Sequence, residues 1–127
     1  MKYPFIPKST LHLVPGQYWP IQLSTGNYAC GVVLAKLVRN DKVESRVFFA
    51  ALLDWSSDNL PREESIRLCN HLEKGALHVK AISKANSQIL GQANFKNMPH
   101  NPSEYLDDVH TFGYSFLNKL AEKHFGE

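Results

Sequence analysis

Two short stretches of alternating apolar residues flank a four-residue turn near the start of this chain. In residues 17–23 every second side chain is large and apolar, namely those of Trp19, Ile21 and Leu23. Residues 28–35 alternate again, and Ser24-Thr25-Gly26-Asn27 between them carries residue types that favour a tight turn. Because side chains repeat with period two along a strand, the stretch predicts a β-hairpin.

The alternation also predicts which face of this hairpin meets the core. Trp19 is expected to anchor the core, and Gly31 on the return strand leaves room for a close approach. Tyr18 and Gln22 lie on the opposite face, where we expect them to be free to meet a partner. Pro20 has no N–H to donate, so its strand is predicted to lie at a sheet edge or to contain a bulge.

The remaining segments follow from periodicity and from turn residues. Residues 1–12, with Pro4 and Pro7, predict an extended arm, and residues 46–55, apolar on both faces, predict a central strand that completes segment 13–55. A capped helix is predicted over 58–75 and a second hairpin over 76–95. Apolar residues recur every three or four positions over 103–124, which predicts a C-terminal amphipathic helix.

This order of elements indicates an α+β fold. We expect a strongly bent, small barrel-like antiparallel sheet of about five strands, with the middle helix and the C-terminal helix packed against it. With 127 residues, the chain is predicted to form a single domain, 1–127.

Composition and charge predict the compartment of the chain and argue against nucleic-acid and membrane partners. Lys and Arg number 14 against 12 Asp and Glu, and the basic residues are scattered, so no nucleic-acid partner is expected. No apolar run approaches the roughly 20 residues of a membrane span, and early prolines interrupt any signal-peptide core. Cys30 and Cys69 are predicted to be free thiols in the cytoplasm.

The sequence shows no metal or nucleophile motif. The six histidines show neither H-x-H nor H-E-x-x-H spacing, and Cys69 and His71, two apart on a predicted helix, point in different directions. We therefore expect no metal and no cofactor. Cys30 alternates with Tyr28 and Val32, so it is predicted to pack rather than to act as a nucleophile.

Several acidic residues are candidates for a site. Asp54, at the end of the predicted central strand, is expected to cap a turn or else to contact a partner or act in catalysis. Glu104, Asp107 and Asp108 open the predicted last helix, where carboxylates favour the helix dipole. An acid–histidine pair of Asp107 and His110 is the catalytic alternative.

One stretch also carries a family resemblance. The run PGQYWPIQLSTGNYACGVV, followed by FFAALLDW, resembles the bacterial immunity-protein twenty-six family, also catalogued as phosphotriesterase HocA-like. The similarity covers residues 13–55 and is weaker through residues 75–80 and 89–91. It implies either neutralisation of a toxin delivered by neighbouring bacteria or hydrolysis of organophosphate triesters.

The residues and the resemblance together favour binding over catalysis. The expected function is that of an immunity-type protein that neutralises a cognate toxin by protein–protein contact. The expected contact surface combines the outer face of the hairpin with acidic residues: Tyr18, Gln22, Asp54, Glu104, Asp107 and Asp108. The alternative is a small phosphotriester hydrolase, with Asp54, His71, His78 or His110 as its reactive groups.

Overall fold

The structure is a computed structural model that describes residues 2–96, 98, 103–105, 111–113 and 115–126. Its strands are β1 (Gln17–Gln22), β2 (Tyr28–Arg39), β3 (Lys42–Ser57), β4 (His71–His78), β5 (Gly91–Gln92) and β6 (Ser103–Tyr105). Its helices are α1 (Glu63–Ile66), α2 (Lys80–Ser83) and α3 (Phe116–Phe125). None of the helices in this described part is long and apolar enough to cross a membrane.

The strands form one mostly antiparallel sheet in the order β4-β3-β2-β1-β5. β6 pairs in parallel with residues 36–38 of β2, past residues 28–32, where β2 pairs with β1. The α+β class is therefore confirmed, but the barrel-like shape is wrong: β4 and β5 end the strand order, and the sheet is open and not strongly curled. A barrel requires its two edge strands to pair, and β5, with only two residues, pairs with β1.

The predicted hairpin is confirmed in detail. β1 and β2 pair with Trp19 opposite Gly31, and the turn between them places Gly26 at a φ of +91°. Trp19 is only 1% exposed and packs edge-to-face on Phe48. A Cβ built on Gly31 would lie 2.2 Å from the indole Cζ2, so only a glycine lets the ring rest against the backbone of β2.

The sheet is buried on both faces, which confirms the central strand. β3 gives Phe48 and Leu52 to one core cluster and Leu53 to the other. The first cluster also holds Trp19 and buried residues of α2 and α3. The second cluster holds Tyr18, Cys30, Val32, Leu34, Ala51, Ile66, Ala93 and Phe95.

The helix predicted over 58–75 is wrong apart from one turn, α1. Residues 71–78 are a strand instead, because they pair with β3 in a register that sets Leu77 opposite Phe48. Leu68, an apolar residue within the predicted helix, is 63% exposed. The ladder with β3 supplies hydrogen bonds and burial that a weakly periodic helix does not.

The hairpin predicted over 76–95 is also wrong. Residues 76–78 end β4, α2 follows, and β5 pairs with β1 rather than with this segment. Ala81 and Ile82 are buried in the first core cluster, so the apolar residues of this stretch face the core from a helical turn.

The last helix is shorter than the predicted 103–124. It begins at Phe116, and residues 103–105 form β6 instead. Leu117 and Ala121, four residues apart, are its buried positions, which confirms the amphipathic pattern in this part of the helix.

The N-terminal arm is packed rather than free. Phe5 bridges to Ile89, and the Thr10 N–H donates to the Ser45 carbonyl at 2.8 Å. The buried Gln17 side chain holds the end of the arm: Oε1 accepts from the Val14 N–H at 2.9 Å, and Nε2 donates to the His12 carbonyl and to the Tyr3 hydroxyl.

Candidate partner-binding site

Two adjoining cavities lie over the hairpin face that was predicted to meet a partner. One, of 220 Å³, is lined by Pro20, Gln22, Tyr28 and residues 85–88, and the other, of 590 Å³, by Tyr18 and residues 59–62. Leu60 and Leu90 line both cavities, so the two form a continuous depression. We call this surface the hairpin groove.

The sequence of β1 explains why the groove forms here. β5 pairs only with Gln17 and Tyr18, which leaves the outer edge of β1 open from Pro20 onward. The carbonyl of Pro20 accepts a hydrogen bond from the Ser87 hydroxyl at 2.6 Å. β1 lies between β2 and β5 and pairs with β2 in a continuous register, so the predicted edge strand or bulge is wrong. Pro20, which has no N–H to donate to a further strand, instead lies beyond the short β5, and this leaves room for a cavity beside it.

Tyr18 corrects one of the predicted contact residues. It is only 8% exposed, because residues 59–62 and 90–95 cover the face that was predicted to be free for a partner. Its ring packs against Gly91, where an added Cβ would lie 3.0 Å from the hydroxyl oxygen. Burial is the main cause of the raised pKa of Tyr18, and electrostatic interactions with Cys30 and Glu63 raise this pKa further. Tyr18 therefore contributes to the floor of the groove rather than to an outward surface.

The surface of the groove is mixed in character. Leu60 is 47% exposed beside the exposed Gln22, and Arg62 forms a solvent-exposed ion pair with Glu64 at 3.5 Å. The segment that carries Leu60 is tied down, since the Glu63 carboxylate accepts from the Asn94 N–H at 2.9 Å. The groove thus has apolar side chains at its centre, polar ones around them and a fixed wall.

The acidic candidates are not gathered at this groove. Asp54 is exposed within β3, which continues to Ser57, so it caps no turn, and it lines neither cavity. The backbone of Glu104 pairs with Leu37, far along β2 from Val32, the partner of Tyr18. At roughly 3.3 Å per residue the two positions are about 17 Å apart. Asp107 and Asp108 lie outside the described residues.

The groups proposed for hydrolysis do not converge either. His71 and His78 stand at opposite ends of β4, about 23 Å apart at roughly 3.3 Å per residue. Burial and Lys74 lower the pKa of His71, whose Nε2 is buried with no hydrogen-bond partner among the described residues. Burial, Lys80 and Arg46 lower the pKa of His78. His110 lies outside the described residues.

The two cysteines are placed for packing rather than for nucleophilic attack. Cys30 is fully buried in the second core cluster, and burial raises its pKa well above the ordinary thiol value. Burial, and then the nearby Asp54, also raise the pKa of Cys69. Both groups are therefore protonated thiols at neutral pH, and the two cysteines are not joined in a disulfide. Among the residues that the structure describes, no three His, Cys, Asp or Glu side chains form a group that could hold a metal ion.

Sequence reasoning missed the walls of the groove, above all Leu60 and Leu90. Residues 59–62 fall at the start of the predicted helix 58–75, but in the structure they are a covering loop. One signal was present: Leu60 precedes Pro61, and a residue before proline is pushed to an extended conformation. This signal takes Leu60 out of the predicted helix and into the loop that lines the groove.

Comparison with known proteins finds no family model that matches the chain, no similar curated protein and no similar solved structure.

Proposed function

We propose that this chain is a binding protein that neutralises a bacterial toxin by covering it with the hairpin groove. The observation that carries the proposal is the groove itself, which has an exposed leucine and two tyrosines within a polar rim. Protein interfaces combine an apolar, aromatic centre with such a rim. A toxin is the proposed partner because residues 13–55, which include β1 and β2, carry the resemblance to immunity proteins.

The character of the groove favours contact over catalysis. Interface hot spots are enriched in tyrosine and lie in pockets from which water is excluded on binding, and here Tyr18 and Tyr28 lie beside the partly exposed Leu60. Among the described residues, those that line the two cavities include no histidine, cysteine or carboxylate. General acid–base chemistry requires such groups within reach of a substrate, whereas an inhibitor requires only complementary surface.

The proposal is tested by isothermal titration of this chain with the protein encoded by the neighbouring gene. Leu60→Asp places a charge at the centre of the groove, and we expect it to weaken binding at least tenfold, which equals about 1.4 kcal/mol. Leu68→Asp is the matched control, because Leu68 is also an exposed leucine, at 63%, and lines neither groove cavity. We expect it to change affinity less than threefold.

Three results would contradict this proposal. Equal losses at Leu60 and Leu68 would exclude the groove as the contact surface. Full binding by both variants would do the same. Absence of any binding, together with phosphotriester hydrolysis that disappears in His71→Ala or His78→Ala, would establish the enzymatic alternative instead.

A further inference from the structure

The hairpin of β2 and β3 projects from the sheet at the end opposite the hairpin groove. β1 pairs with β2 over residues 28–32, and β4 pairs with β3 from Val47 onward, so the two strands continue past both neighbours to a turn at residues 40–41. Tyr28, which lines the groove, and Arg39 stand at opposite ends of β2, about 36 Å apart at roughly 3.3 Å per residue. A contact between the end of this hairpin and the groove therefore has to join two copies of the chain.

The end of this hairpin, residues 38–43, is basic and carries an exposed aliphatic side chain; we call it the hairpin tip. Arg39 and Lys42 lie directly opposite each other in the ladder, where like charges repel. Asp41 is in the turn between them, and within the described residues neither cation forms an ion pair with it or with another carboxylate. Val43 is 53% exposed. The hairpin tip thus presents an aliphatic side chain beside two cations that are not neutralised.

The loop that walls the hairpin groove has the opposite charge. Residues 58–64 hold three carboxylates and one arginine, whereas the chain as a whole has a formal net charge of +2. The ion pair of Glu64 with Arg62 lies in solvent, and such pairs are weak, so it leaves Glu64 available to another cation. After burial and Cys30, the charges of Glu63 and Glu64 raise the pKa of Tyr18 on the groove floor. The groove is therefore an apolar depression with an acidic wall.

We propose that the hairpin tip of one copy of the chain binds in the hairpin groove of a second copy. Val43 packs on Leu60 in the groove, and Arg39 and Lys42 lie against the acidic wall at Glu64. The hairpin is two strands wide at its end, so it is narrow enough to enter a depression. Because the contact joins two different surfaces, each copy keeps one free tip and one free groove, and copies add head to tail into open chains.

Self-association of this kind regulates the groove. A copy bound in the groove covers Leu60, so only the dissociated chain can bind a toxin there. This inference rests on the binding role proposed for the groove, but its test contains no toxin and the two can fail separately. The contact buries much less than the roughly 800 Å² per partner of a stable interface, so we expect it to form at high protein concentration.

Sedimentation velocity of the purified chain at increasing concentration tests the proposal. We expect the average mass to rise with concentration, and the association to be lost in about 1 M sodium chloride, where the Debye length is about 3 Å. Val43→Asp and Leu60→Asp should each abolish association. Leu68→Asp is the matched control and should retain it, because Leu68 is an exposed leucine that lines neither groove cavity. Melting temperatures of the separate variants show whether each one is folded.

Mixing the two defective variants separates a head-to-tail contact from any symmetric one. Val43→Asp keeps an intact groove and Leu60→Asp keeps an intact tip, so the mixture should form a one-to-one complex that does not grow further. Lys42→Glu should weaken association about tenfold, and adding Glu64→Lys to the same chain should restore most of the loss. Lys74→Glu, a change of equal charge at an exposed lysine of β4, should have little effect.

Three results would overturn the proposal. The first is a single mass at every concentration, which would leave the function proposed for the groove untouched if the toxin still bound. The second is association in which the mixed Val43→Asp and Leu60→Asp variants form no complex. The third is equal losses in Lys42→Glu and Lys74→Glu.

Discussion

Replacing Gly31 with alanine tests the contact on which the first hairpin depends. A Cβ at this position would lie 2.2 Å from Cζ2, 2.5 Å from Cε2 and 2.7 Å from Cη2 of Trp19, whereas ordinary contacts begin near 3.4 Å. The indole must therefore move by about 1 Å, yet it is 1% exposed and its ring lies 5.9 Å from that of Phe48. Overpacking of a core costs about 1–3 kcal/mol, and a rigid ring held on two sides places Gly31→Ala near 3 kcal/mol.

Urea unfolding followed by far-ultraviolet circular dichroism measures this loss. With an m value of about 2 kcal/mol/M, a loss of 3 kcal/mol lowers the midpoint by about 1.5 M. Gly113→Ala is the matched control: a Cβ there meets no atom of the described residues within 4 Å, so its effect should stay within about 0.5 kcal/mol.

A double-mutant cycle isolates the steric cause. Trp19→Leu alone should cost about 3 kcal/mol, because it leaves a cavity in the core. Since the smaller side chain removes the clash, Gly31→Ala combined with Trp19→Leu should cost at least 1 kcal/mol less than the sum of the two single changes. Strict additivity, or a Gly31→Ala protein as stable as the original, would refute the assignment of this contact.

Three further predictions concern polar groups. Hydrogen bonds from the Ser24 N–H and hydroxyl lower the pKa of Glu122 in the folded protein. Their contribution to folding stability is therefore complete above the unfolded pKa of about 4.3 and is lost as the pH falls through the lower folded pKa. Glu122→Gln should flatten the fall of the melting temperature between about pH 5 and 3. Burial and Lys74 lower the pKa of His71, so the contribution of its neutral ring to folding stability is complete above about pH 6.5 and declines as the pH falls. In NMR, the ring resonances of His71 should titrate with a midpoint below about 6.5. Gln17→Leu leaves the Val14 N–H and the His12 carbonyl without their side-chain partner. It should therefore lower the free energy of unfolding in urea by about 3 kcal/mol and speed amide hydrogen exchange in residues 2–14. An unchanged exchange pattern would contradict this reasoning.

The sequence by itself determined those features whose signal is local. The alternation around Gly26 predicted β1, the turn and β2, and it predicted that Trp19 anchors the core and that Gly31 permits a close approach; the structure shows that the two meet each other. The run of apolar residues in 46–55 predicted a strand buried on both faces, because only a covered strand tolerates apolar side chains on both sides. The pattern of α3 predicted an amphipathic helix, although its true start is Phe116.

Tertiary structure alone decided which segments pair and what covers each face. Residues 71–78 are weakly periodic, and the ladder with β3 makes them a strand; residues 103–105 likewise become a strand through β2. The same limit applies to the candidate site. Alternation placed Tyr18 opposite Trp19 correctly, but it carries no information on whether a distant segment covers that face. Residues 59–62 and 90–95 do cover it, and the hairpin groove exists because they pack there. Burial is a property of contacts between segments distant in sequence, so local periodicity defines the faces of a strand and only the assembled layers decide which face meets solvent.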